Sequence, residues 1–277
     1  MSDDPNNPWG PPPAQPAPAE AVPLVGQVDA RCPTCWFRMK PGATFCAQCG
    51  NRVAAAPAQP ASASMAMRLR GGDVKMVIWY FCLSLAAAAA WMIYARVTQD
   101  GFHTFVGGSI TLGVLTVIFA VTNRSLIIEP ASRIGFGPLG YLLILIAAVP
   151  IVLLVAGYVE VVNAWFGIKV PSELSEFEGK NVLWPILLVV IIPPLEEELA
   201  FRGLIYGGLR KSFTVAETFI VSSFAFAILH LSVPSLVTHF PLGMYFVWLR
   251  HKSDSLWPGV FAHACHNLGV CILAWAR

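Results

Sequence analysis

The sequence predicts an all-α, polytopic transmembrane bundle of about seven spans, preceded by a small zinc ribbon. Three observations carry that expectation. Of the 277 residues, 56% are hydrophobic and 12% charged, against roughly 25% charged in an ordinary soluble domain. The mean hydropathy is +0.63. Stretches 76–95, 134–159 and 255–276 contain no Asp, Glu, Lys or Arg, and each reaches the roughly 20 helical residues that cross a hydrocarbon core of about 30 Å. Nothing alternates with the period of a barrel strand, and a backbone in lipid must satisfy its own hydrogen bonds, which leaves helices. A net charge of +2 says little about partners, because Lys and Arg in such a chain mostly set topology. Nucleic acid is not an expected partner.

In chain order, residues 1–30 hold eight prolines and no apolar run of the kind a signal peptide needs. Their composition predicts a disordered arm. Residues 31–52 follow the pattern Cys32-Pro-Thr-Cys35, ten residues, Cys46-Ala-Gln-Cys49. Two such knuckles can close four thiolates around zinc, and metal binding must supply most of the folding energy of so short a segment. Arg31, Arg38, Lys40 and Arg52 offset the charge of that site. The segment resembles small zinc ribbons, which implies a structural zinc and a protein-docking role. Residues 53–73 are a Pro- and Ala-containing linker, and 74–277 are the membrane domain.

Seven spans fit that domain, near 74–95, 104–121, 138–158, 182–209, 213–231, 235–249 and 256–275. The uncharged stretch 218–249 exceeds one span, and Pro234 and Pro241 supply the break. With the amino terminus inside, nine Lys and Arg (68, 70, 75, 124, 133, 210, 211, 250, 252) fall on the inner side and four (96, 169, 180, 277) outside. Positive charge accumulates on the cytoplasmic side, so a cytoplasmic amino terminus is expected. Trp79, Trp91, Trp165, Trp184, Trp248, Trp257 and Trp275 read as headgroup-level anchors.

Ionisable residues within spans are expensive and mark functional sites. They form three groups. In Glu196-Glu197-Glu198-Leu199-Ala200-Phe201-Arg202, behind Pro193-Pro194, Glu198 and Arg202 are four apart in the favourable acid-first order. Glu197 is turned about 100° from Glu198 on a helix, so it can face a cavity while its neighbour is neutralised. The second group is Phe226 to His230, and the third is His263-Ala264-Cys265-His266-Asn267, with His263 and Asn267 on one face. A carboxylate, two imidazoles and an amide could meet around a water, the minimum equipment for hydrolysis. His266 and Cys265 read as packing between helices, and His103, His239, His251 and Glu217 as interfacial residues near span ends.

These motifs, E-E-x-x-x-R, F-x-x-x-H and H-x-x-x-N, resemble those of the CPBP family of intramembrane proteases, which includes CAAX prenyl endopeptidases of the Rce1 type and bacterial relatives linked to bacteriocin immunity. The resemblance covers about 183–270. It implies an intramembrane endopeptidase acting on membrane-associated proteins or peptides, lipidated ones included. Glu197 and His230 would activate water, His263 and Asn267 would stabilise the oxyanion, and Glu198 with Arg202 would be the supporting ion pair. The family has been described both as glutamate-dependent and as metalloproteases. The glutamate-dependent reading is favoured here, with zinc required only in the ribbon. The rival function is a non-catalytic scaffold or immunity-type protein of the same fold. The Ala- and Pro-rich arm points to a bacterial inner-membrane protein.

Overall fold

The computed structural model describes Ala43, Phe45, Cys46, residues 71–167 and residues 173–276. The chain divides into two units, Met1–Ala63 and Ser64–Arg277. Of the four ribbon cysteines, Cys32, Cys35 and Cys49 lie outside the described residues, so the predicted zinc ribbon does too.

Among the described residues of the second unit, seven long helices follow one another: α1 (Gly72–Thr98), α2 (Gly101–Thr122), α3 (Pro138–Phe166), α4 (183–209), α5 (Val215–Leu229), α6 (Val233–Ser253) and α7 (Trp257–Trp275). Three of them, α1, α2 and α3, are long and apolar enough to cross a membrane. At a rise of 1.5 Å per residue the 15 residues of α5 extend only about 22 Å.

The outer surface of the bundle is largely apolar, and its apolar interior encloses a set of polar and charged side chains. Ile110, Val121 and Leu154 stand exposed on the long helices, while Thr116, Glu198, Arg202, Ser222 and His263 are buried. Exposed aliphatic side chains would each forgo roughly 1.5–3 kcal/mol of burial in water. Against lipid tails that penalty vanishes, and the charged groups turn inward instead.

Local chemistry sets the ends. Asp100 caps α2, accepting from the His103 backbone N–H at 3.1 Å and from His103 Nδ1 at 2.7 Å. Thr214 and Glu217 form a reciprocal capping box that starts α5, two orphan donors satisfied together. Glu217 thus has a local structural task. The helix α3 runs eight residues beyond the span expected for it, keeping Val162 buried, and stops at Gly167 with φ +63°, a left-handed C-terminal geometry natural to glycine.

The α5–α6 break lies before Pro234, at Leu231 with φ +50°. Pro234 occupies the first turn of α6, where its missing N–H costs nothing. Pro241, by contrast, stays inside α6 and does not break it. Trp91 differs from its anchoring role: its Nε1 donates to Thr111 Oγ1 at 3.0 Å, and its ring lies over Gly107. It packs α1 against α2.

Loops holding predicted inner cations are tied together. Arg133 pairs with Glu129 and, at 3.1 Å, with Asp254, which also meets Arg250 at 3.4 Å. Lys211 reaches Asp73 at 2.9 Å.

Candidate active site

The helix α4 is the irregular element. It comprises a turn at Leu183–Pro185, a π stretch at Ile186–Ile191, an α segment at Ile192–Glu197, a second π stretch at Glu198–Ile205 and a last turn at Tyr206–Leu209. The prolines explain the first distortion. The carbonyl of Val189 would be paired by the N–H of residue 193 in an α-helix or 194 in a π-helix, and both are proline. Asn267 Nδ2 on α7 donates to Val189 O instead, at 2.9 Å. A motif residue is thereby oriented by a backbone defect three helices away in sequence.

The second π stretch carries the ion pair. Glu198 and Arg202 are fully buried, with Arg202 Nη1 at 3.0 Å from Glu198 Oε1. Arg202 Nη2 also donates to Gly243 O at 3.3 Å, and the guanidinium lies 4.6 Å from the Phe226 ring centroid and 5.0 Å from that of Phe246. Each cationic face thus meets a carboxylate, a carbonyl or a ring, the arrangement that makes a buried charge tolerable. Two glycines permit it. A Cβ on Gly259 would lie 2.5 Å from Glu198 Oε2, and one on Gly243 3.0 Å from Ser223 Cα.

His263 joins the two glutamates. Its Nδ1 lies 3.3 Å from Glu198 Oε1 and its Nε2 3.9 Å from Glu197 Oε2, and its ring stacks on Phe246 with centroids 4.9 Å apart. Glu198 accepts from Nδ1–H, so the other ring nitrogen faces Glu197. Of the consecutive glutamates, Glu198 is sealed in the packing, whereas Glu196 and Glu197 line a cavity of about 290 Å³. His230, His263 and Asn267 line the same cavity. Its far wall is α2, through Thr104, Gly108 and Ser109.

His230 ends α5. Its backbone N–H bonds Ala227 O at 3.4 Å, which leaves Phe226 O for the side chain, and His230 Nδ1 donates to it at 3.0 Å. In the neutral ring Nε2 then carries the lone pair.

Three groups of the cavity escaped the sequence reading. His239 is not interfacial: its ring sits 3.8 Å from that of His230, centroid to centroid, inside the cavity lining. His266 lines the cavity as well, and its buried Nδ1 has no hydrogen-bond partner among the described residues. Glu196, to which the sequence assigned no role, accepts from the Thr116 hydroxyl, which in turn accepts from Tyr80 OH at 2.7 Å. A signal existed only for Glu196, as a third charge inside a span. The histidine pairing depends on how α5 and α6 fold back on each other. Among the described residues, no three His, Cys, Asp or Glu side chains converge closely enough to hold a metal ion.

Residues 179–269, which include every one of these motif positions, match the family model of the type II CAAX prenyl endopeptidase Rce1-like proteins. Over this third of the chain the sequence is similar to that family. Over 91 residues it is 30% identical to a Bacillus subtilis (strain 168) protein named "Putative membrane peptidase YdiL". That similarity covers 32% of this chain and 37% of the relative, so the chain spans little more than a third of the curated relative it matches. No solved structure matches the chain.

Proposed function

We propose that this protein is an intramembrane endopeptidase of the glutamate-dependent kind, cleaving membrane-associated proteins or peptides. The observation that carries the reading is that Glu197, His230, His263 and Asn267, brought from three different helices, line one cavity beside a neutralised Glu198–Arg202 pair. Glu197 and His230 Nε2 take a proton from water, and the resulting hydroxide oxygen adds to the peptide carbonyl carbon. The oxyanion is held by His263, which as an imidazolium gives Nδ1–H to Glu198 and offers Nε2–H to the cavity, and by the Asn267 N–H not given to Val189. As the C–N bond breaks, the proton passes to the amine nitrogen. General acid–base groups of this type contribute about 10²–10⁴ in rate, and one oxyanion donor about 10²–10³.

The test is cleavage of a quenched-fluorescent peptide with a farnesylated C-terminal CAAX sequence by purified protein. Glu197→Gln and His230→Ala should each abolish turnover while leaving a monodisperse, folded protein. Full activity in Glu197→Gln removes the proposed base. Activity lost to a chelator in a protein lacking residues 1–60 would favour an active-site metal instead.

The same proposal covers the amino-terminal cysteines and the topology. Cys32, Cys35, Cys46 and Cys49 hold one structural zinc in a cytoplasmic ribbon that docks another protein, and the seven helices place the carboxyl terminus outside a bacterial inner membrane. Elemental analysis of the full chain should give one zinc, absent in Cys32→Ser/Cys35→Ser. Reporter fusions should place the two ends on opposite sides.

A further inference from the structure

We infer that His239 is a positioning residue for His230, holding that ring so that its Nε2 faces the cavity and supporting it as an imidazolium once it accepts a proton. The inference rests on the catalytic reading of His230 given above. It starts from where His230 stands. The residue follows the last helical position of α5 and precedes Leu231, whose φ of +50° turns the chain. At a helix terminus the backbone lacks a full set of ladder bonds. The side chain has one polar tether, Nδ1 to Phe226 O at 3.0 Å, and one tether leaves the imidazole free to swing about it.

His239 removes that freedom. It lies in the second turn of α6, where Nδ1 bonds Ser235 O at 2.9 Å and sits 3.1 Å from Thr238 Oγ1. The Thr238 hydroxyl gives its own proton to Ser235 O at 3.2 Å, so both neighbours of His239 Nδ1 are acceptors and that nitrogen carries the hydrogen. His239 is therefore the same tautomer as His230, with the lone pair on Nε2. The two rings meet at 3.8 Å with planes 41° apart. The next ring on His230 is Phe226, at 5.1 Å. Phe226 also lies against His239, at 5.9 Å, which closes a three-ring wall on one side of the cavity.

The chemistry follows from the contact. A neutral imidazole against His230 offers a π face to the cation formed when His230 takes a proton, a favourable contact in a desolvated site. A proton on both rings would put like charges in contact. The pair therefore works with one proton, on His230.

His239→Ala, His239→Phe, His230→Ala and Glu197→Gln are compared on the farnesylated quenched peptide, with unfolding midpoints recorded in the same detergent. His239→Ala should lower kcat about 10- to 100-fold, within the range for misplaced acid–base groups, with KM and the unfolding midpoint held. His239→Phe, which keeps the ring but no nitrogen, should recover most of kcat. Wild-type kcat in His239→Ala overturns the inference, as does a loss confined to KM or one that tracks the unfolding midpoint. A His239→Phe variant as slow as His239→Ala also overturns it, because a nitrogen is then required. A second readout needs no turnover: imidazole NMR of histidine-labelled protein should show His230 as a single Nδ1–H tautomer in wild type and His239→Phe, and as an exchanging mixture in His239→Ala. Identical His230 spectra in all three overturn the positioning role. Activity in Glu197→Gln or His230→Ala would instead sink the catalytic reading, whatever His239 does.

Discussion

Replacing Glu198 by glutamine removes one charge from a pair that has no access to solvent. At the observed 3.0 Å and an effective dielectric of about 20, the attraction amounts to roughly 5 kcal/mol. Glutamine keeps a carbonyl toward Arg202, and a neutral hydrogen bond returns about 1 kcal/mol. The expected loss of about 4 kcal/mol falls within the 3–5 kcal/mol typical of breaking a buried pair. The guanidinium keeps Gly243 O and the Phe226 and Phe246 rings, which limits the loss and should preserve insertion. For a domain of this size the loss corresponds to a fall in Tm of roughly 8–16 °C. Equilibrium unfolding in mixed micelles measures it, and the double variant Glu198→Gln/Arg202→Met gives the control. Removing the stranded cation should make the double variant more stable than Glu198→Gln alone, because an apolar replacement of a buried pair is often close to neutral. A single variant within about 1 kcal/mol of wild type, or a double variant weaker than both singles, would refute the claim that this pair acts as one neutral unit.

Gly259→Ala places a Cβ 2.5 Å from Glu198 Oε2; overpacking of this kind costs about 1–3 kcal/mol, and the unfolding midpoint should fall together with turnover. Asn267→Leu strands Val189 O, an unsatisfied carbonyl worth about 1–3 kcal/mol, so hydrogen exchange should quicken around 189–194 in that variant. The hydrogen bonds from His103 hold the Asp100 carboxyl below its ordinary value of 3.8. Its support of the α2 terminus is therefore present above that value and lost as pH falls through the depressed native one. Amide protection at 101–104 should decline there, and a profile unchanged in Asp100→Asn would count against the cap.

Much of this architecture is legible locally. Charge-free stretches, Pro234 at a helix start and the Glu198–Arg202 spacing are properties of segments, and hydropathy, missing N–H groups and the helical repeat act within a few residues of each other. Glu197, His230 and His263 could be singled out the same way, since an ionisable group inside an apolar run stands out without any fold, and Asn267 follows from its spacing to His263. The helix ends of α3 and the persistence of α6 through Pro241 were less legible, because packing against neighbours outweighs local propensity there.

By itself the sequence determined that these helices exist, which residues are too polar to face lipid, and that Glu198 and Arg202 can neutralise each other. Only the tertiary structure decided which faces meet. Two π stretches change the rotation of α4 along its length, and Gly243 lets α6 approach α5 while Gly259 lets α7 approach α4 where any side chain would collide. Those shifts put His239 on His230, His263 between Glu197 and Glu198, Thr116 on Glu196 and Asn267 on Val189. Contacts of this kind join residues up to 80 positions apart, and no pattern with a period of a few residues encodes them: they follow from how several apolar helices close around polar groups that lipid will not solvate.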